Sequence, residues 1–107
     1  MPIHTVYTSG KFEWDIAKDA ANVDKHGLNF DYAIRIFAEP VLERIDQRRD
    51  YGEVRIIPLG VVDDLELTIV FTERGGRRRI ISARRAHNHE RRAYREAYPN
   101  QSDPRQD

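Results

Sequence analysis

Six arginines crowd one short stretch of the chain: Arg74, Arg77, Arg78, Arg79, Arg84 and Arg85 fall between Phe71 and Ala86. A guanidinium is a planar fork of donors with a permanent charge, the side chain best suited to grip phosphate. Six of them on one hairpin repel each other unless an anion sits nearby. The stretch reads as the end of one strand, a Gly75-Gly76 turn suited to positive φ, and a second strand. A solvated edge hairpin is the plain alternative, since charged edges deter aggregation. Alternation places Arg78, Ile80, Ser82 and Arg84 on one face and Arg79, Ile81, Ala83 and Arg85 on the other. Both faces are apolar in the middle and basic at the ends. That predicts an interior strand whose arginines emerge at the rims of a sheet.

RNA is cleaved without a metal when its 2′-hydroxyl attacks the adjacent phosphate. The reaction needs a proton acceptor, cations around the phosphorane and a proton for the leaving oxygen. His26 titrates near neutrality at an expected helix end and suits an acid or a base; capping and packing are its other role. Lys18 and Lys25 share its helix, to hold phosphate, to act as base with a depressed pKa, or simply to face solvent. Arg74 and Arg84 are the chosen transition-state stabilisers. Arg79 and Arg85 fit RNA contacts or structural pairs with Asp46 or Glu53. Tyr94 fits a base stack, a proton donor or packing on the sheet. His87 and His89 with Glu90 are a weak metal motif, and there is no cysteine. Gly75-Gly76 lacks the Lys-Ser or Lys-Thr of a phosphate loop, and no serine sits in a nucleophile elbow. No cofactor is expected.

Elements must bring these groups together. A chain of 107 residues is one domain with a modest core. Its net charge is zero, but Met1–Val70 holds 8 Lys and Arg against 13 Asp and Glu, whereas Phe71–Tyr98 holds 9 against 3. A basic face of this kind binds polyanions despite a neutral total. No apolar run approaches the roughly 20 residues of a membrane span, nothing resembles an export signal, and the lack of cysteine fits a cytoplasmic setting.

Asp15 offers an N-cap to a first helix with Ile16, Ala20 and Val23 on its apolar face, stopped by Gly27. Phe30, Ala33, Ile34 and Phe37 repeat at helical spacing from a start at Asn29 or Asp31, and Pro40 ends that helix. Strands follow at Val41–Asp46, Glu53–Gly60 (an edge or bulged at Pro58), Leu65–Thr72 and the arginine hairpin. Met1–Trp14 holds at most a short strand. His87–Tyr98 reads as the last helix, with Asn88 as N-cap, and Pro99–Asp107 as a disordered tail. The expected fold class is α+β: two N-terminal helices, a four-stranded antiparallel meander, one C-terminal helix, helices on one face, in a single domain over 1–98.

Phe12-Glu13-Trp14-Asp15, Lys18, Asn22, Lys25-His26-Gly27, Phe30 and Phe37 resemble the start of a BrnT-type toxin. Asp46, Arg48, Tyr51-Gly52-Glu53, Arg55, Arg74, Ile80-Ile81-Ser82-Ala83-Arg84-Arg85-Ala86 and Glu90-Arg91-Arg92 continue the likeness, which covers about Phe12 to Glu96. The resemblance implies a RelE-like fold and ribonuclease activity as the toxin of a bacterial type II toxin–antitoxin pair. It further implies a BrnA-like antitoxin that neutralises the toxin and alone contacts operator DNA, in an assembly with two copies of each chain. The residues by themselves leave a non-catalytic nucleic-acid-binding module and a protein-interaction domain as alternatives.

Overall fold

The computed structural model describes residues 6–100, so the expected disordered tail beyond 100 lies outside the described residues. The described residues begin with two strands. β1 (Val6–Ser9) and β2 (Phe12–Asp15) pair antiparallel across a turn in which Gly10 takes φ 58°. Helix α1 (Ile16–His26) follows directly, its N-terminus capped by the Asp15 carboxylate, which accepts from the Ala17 and Lys18 N–H groups at 2.8 and 3.2 Å. Gly27, at φ 71°, closes its C-terminus. The second expected helix is one α turn, α2 (Phe30–Ala33), capped by Asn29 and tightened into a 3-10 turn over Ile34–Ala38. Then come β3 (Leu42–Ile45), β4 (Ile56–Val62), β5 (Leu65–Arg74), β6 (Arg77–Arg85) and α3 (Asn88–Ala97).

The meander β3 to β6 is present, but the sheet is larger than the expected four antiparallel strands. It has six strands in the order β1-β2-β6-β5-β4-β3, and β2 runs parallel to β6 through Phe12–Arg78 and Glu13–Arg79. β6 is thus interior, as the alternation of its side chains predicted. β4 is interior as well, against the expectation of an edge or a bulge at Pro58: Ile56–Phe71 and Leu59–Thr68 keep one register. Its pairing with β5 leaves Ile56–Phe71 and resumes at Leu59–Thr68, which lets the ring of Pro58, with no N–H to donate, sit inside a sheet.

Helices cover both faces of the sheet rather than one. On the first, Leu67, Ile69 and Phe71 of β5 meet Phe30, Ala33 and Ile36, with Trp14 edge-on to Phe30. On the second, Leu59 and Val61 of β4 meet Tyr94 of α3. Period-two alternation along β4 and β5 separates the two cores. In β6 that alternation is reset: Phe71 pairs with Ile80 and Val70 with Ser82, so Ile81 is bulged out of register. Ile80 and Ala83 therefore both reach the first core, and Arg78, Ile80, Ala83 and Arg85 share that face. Arg79, Ser82 and Arg84 share the other. The bulge regroups the faces read from strict alternation.

Helix α1 is also turned relative to expectation. Ile16, Ala20 and Val23 are exposed, while Asn22 is buried and His26 half-buried. The cause is where α1 lies. Past Glu13 and Arg79, β2 no longer accompanies β6, and α1 takes its place along that strand's free edge. The Asn22 amide donates to Leu28 O at 2.8 Å and Ala83 O at 2.9 Å and accepts from Ala83 N at 3.1 Å. One side chain thus acts as the missing strand, since buried backbone groups must be paired. Asp19 accepts from Phe30 N at 2.8 Å on the same inner face.

Candidate functional site

The C-terminal end of β6 is where the cations with room for a ligand gather. β6 delivers Arg84 to the α3 face of the sheet and Arg85 to the other. The free edge between them is occupied by the end of α1, which carries Lys25 and His26. Burial first, then the positive charges of Lys25 and Arg84, lower the His26 pKa below the usual histidine value of 6.5. The imidazole is consequently neutral at pH 7 and able to accept a proton.

Arg84 is held rigidly. Its guanidinium donates to both oxygens of Glu90, Nη1 to Oε1 at 2.8 Å and Nη2 to Oε2 at 3.0 Å. Glu90 also accepts from Arg44 Nη2 at 2.8 Å and from the His87 N–H at 2.7 Å, and is 3 % exposed. Burial by itself would raise the Glu90 carboxyl; the bonds from Arg84, the His87 N–H and Arg44 outweigh it and hold it well below the usual carboxylate range. His87, not Asn88, is the N-cap of α3.

Two hollows lie near this end of β6, one on each face of the sheet. On the α3 face a groove of about 270 Å³ has Ile57, Val70 and Ser82 as its floor and Arg44, Arg48 and Arg84 on its rim. Across the edge, His26, Leu28, Asn29, Tyr32, Leu65 and Arg85 line a larger hollow of about 490 Å³.

The structure does not bring every expected site residue here. Arg74 is six positions from Thr68 along β5, and Thr68 pairs with Arg84, so the two arginines stand about 20 Å apart. Arg74 instead donates to Glu53 at 3.0 Å. That carboxylate also pairs with Arg55, whose guanidinium covers the Tyr51 ring at 4.0 Å. Lys18 is exposed and eight residues before His26, about 12 Å along the helix. Arg79 is a structural pair, at 2.9 Å from Glu13 rather than from Asp46 or Glu53. Asp46 is taken by Arg48 and the Tyr51 hydroxyl. Tyr94 is fully buried and donates to Pro40 O at 2.8 Å; burial, then Tyr98, pushes its hydroxyl up to about 12. A ring with no exposed face stacks on no base, so Tyr94 is core. Arg44 carries no signal in the sequence, and Glu90, read there only within a weak metal motif and the family likeness, is the partner of both Arg44 and Arg84; a glutamate three residues after a helix start is an N-terminal signal in any sequence.

His87, His89 and Glu90 place ligand atoms within 4.8 Å of one another, the one group of metal-ligand type among the described residues. A carboxylate offers about four lone-pair directions, and the two Arg84 bonds, Arg44 and the His87 N–H use that number. Two guanidinium groups and a helix N-terminus would also surround the ion with positive charge. These residues do not fit a metal centre.

An α+β domain with a basic groove and a neutral imidazole beside fixed guanidinium groups has the parts of a phosphate-binding protein that moves a proton. The family model for BrnT, the ribonuclease toxin of type II toxin–antitoxin systems, matches residues 14–90, and the chain belongs to that family. A comparison with curated proteins finds no match. The family implies an antitoxin partner. Among the described residues no helix is long and apolar enough to cross a membrane.

Proposed function

We propose that this chain is itself an endoribonuclease, RelE-like in mode, which cleaves RNA without a metal ion and is neutralised by a BrnA-like antitoxin. One observation carries the reading: Arg84 lines the basic groove on the α3 face, Arg85 and His26 line the hollow on the other, and the charge of Arg84 reaches the His26 imidazole. RNA lies in the groove with one phosphate at the end of β6. His26 takes the proton of the neighbouring 2′-hydroxyl, and the 2′-oxygen attacks phosphorus. Arg84 and Arg85 stabilise the charge that builds on the phosphorane oxygens, and Lys25 adds positive charge beside them. The bond from phosphorus to the 5′-oxygen breaks, that oxygen takes a proton from solvent, and a cyclic 2′,3′-phosphate remains. Arg74 and Arg79 leave the reacting set by position: Arg74 lies about 20 Å along the sheet from Arg84, and Arg79 sits beside Glu13 at the other end of β6.

The test is antitoxin-free protein incubated with single-stranded RNA in EDTA. Cleavage leaving cyclic phosphate or 3′-phosphate ends is expected. Loss of all activity in EDTA, restored by magnesium, overturns the metal-free mechanism. Binding of RNA with no cleavage under any condition favours a non-catalytic binding module. Light scattering of the co-expressed pair is expected to show two copies of each chain, as two-fold operators require.

A further inference from the structure

Five of the six hairpin arginines are satisfied within the molecule. Arg74 pairs with Glu53, Arg79 with Glu13 and Arg84 with Glu90. Arg77 donates to Gly10 O at 3.0 Å. Arg78 lies over the rings of Phe37 and Phe71, at 4.9 and 5.0 Å. Of these six, only the Arg85 guanidinium has no carboxylate, carbonyl or ring partner among the described residues. It is exposed and lines the hollow of about 490 Å³ on the far side of the β6 edge from the groove.

The rest of that hollow is not arranged for an anion alone. Leu28 and Leu65 give it an apolar floor, and Tyr32 forms one wall. The Tyr32 ring is held in place, its hydroxyl donating to Asp63 Oδ2 at 2.9 Å and Arg35 lying over it at 5.1 Å. Fixing the ring in the free protein removes an ordering cost from any stack formed on it. Asn29 uses its Oδ1 to cap α2 through the Tyr32 N–H, which leaves its Nδ2 as a donor at the rim. An apolar floor, a fixed aromatic wall, an amide donor and an unpaired cation match an unpaired nucleobase with its phosphate.

From this arrangement we infer that the hollow lined by His26, Tyr32 and Arg85 receives the base of one nucleotide flanking the cleaved bond and sets base preference there. The inference rests on the ribonuclease reading, since it takes the chain across the β6 edge from Arg84. A flanking base drawn into the hollow splays the strand at the scissile phosphate, where in-line attack requires it to be unstacked.

The experiment uses the full chain and single-stranded oligoribonucleotides that vary each flanking base in turn. A matching set carries a 2′-deoxy nucleotide at the cleavage position and reports binding without chemistry. Tyr32→Ala is expected to weaken binding of the 2′-deoxy set roughly tenfold, as loss of one base stack does, and, with the base no longer held against the rim donors, to blunt base preference at one flanking position. Tyr32→Phe keeps the preference, because the ring makes the stack. Arg85→Gln is expected to weaken binding to all sequences alike and to reduce the magnitude of the slope of log affinity against log salt by about 0.7, the effect of one phosphate contact on a single strand. Unchanged preference in folded Tyr32→Ala, with unchanged affinity and salt slope in Arg85→Gln, overturns the inference while leaving cleavage intact. Should the wild type cleave no RNA, the 2′-deoxy set still decides: variant-sensitive binding upholds the hollow while the catalytic reading falls, and insensitive binding overturns the hollow too.

Discussion

Glu90 shows why a single carboxylate at the site is structural first. It joins α3 to β6 through Arg84 and to β3 through Arg44. Removing one member of such a buried pair leaves a charge without a partner, so Glu90→Gln is expected to cost about 3 kcal/mol at pH 7, measured by urea unfolding. The pH dependence has a definite sign. Because the folded-state pKa is depressed, the stabilisation is complete above the ordinary glutamate value of 4.5 and is lost as pH falls through the acid range. The stability gap between wild type and Glu90→Gln should therefore narrow at pH 3; a constant gap would contradict the depressed pKa. The same geometry makes Arg84→Ala an ambiguous probe of catalysis, since it orphans Glu90. Arg84→Lys keeps a charge beside Glu90 but loses the fork, and is the cleaner substitution. Asn22 offers a second residue-scale test. Asn22→Ala strips Ala83 of both its backbone partners and should cost about 2–4 kcal/mol. Asn22→Asp should cost more, because a carboxylate oxygen would face the carbonyls of Leu28 and Ala83 where an amide now donates. Equal unfolding midpoints for the two variants would count against this account.

At the scale of elements, the site depends on α1 running beside β6 and on the Ile34–Ala38 turn pressing against β4. Gly60 is the close contact: an added Cβ would meet Ile36 Cβ at 2.8 Å and Val41 Cγ1 at 3.1 Å. Gly60→Ala should cost about 1–3 kcal/mol through overpacking, with no change in backbone strain because its φ is unexceptional. A thermal melt checks it, and an undiminished midpoint would mean the turn moves aside freely. The inner stripe Asp15, Asp19, Asn22 and His26 is spaced four, three and four, a helical face built from polar groups. It aims His26 at the end of β6, and the exposed stripe of Ile16, Ala20 and Val23 follows from it.

For the molecule as a whole, charge asymmetry becomes function only once the sheet is assembled. His26 is some sixty residues from Arg84 in the chain, yet feels its charge. If His26 is the base, cleavage should be level near neutral pH and fall as pH drops beneath the ordinary value of 6.5, since protonation removes the acceptor. His26→Ala should lose about 10²–10⁴ in rate with an unchanged unfolding midpoint. A rate profile flat down to pH 5 would assign the base to another group.

Local information sufficed for much of this protein. The Asp15 and Gly27 caps, a helix start at Asn29 or Asp31 (the structure takes Asn29), the interior position of the arginine strand and the meander from β3 to β6 all follow from short-range patterns, because caps, turns and period-two alternation are properties of neighbouring residues. The family likeness, too, was legible in contiguous motifs. What tertiary structure decided was every question of partner. Whether an arginine meets a glutamate, a ring, a carbonyl or nothing depends on which strands adjoin, and β2 joins β6 from the other end of the chain. The bulge at Ile81 exchanged face assignments that strict alternation would have kept. The turn of α1 reversed because a free strand edge needs hydrogen bonds more than it needs apolar cover. Only the folded sheet separates Arg74 from Arg84, buries Tyr94, and leaves Arg85 as the hairpin arginine whose guanidinium is unpartnered.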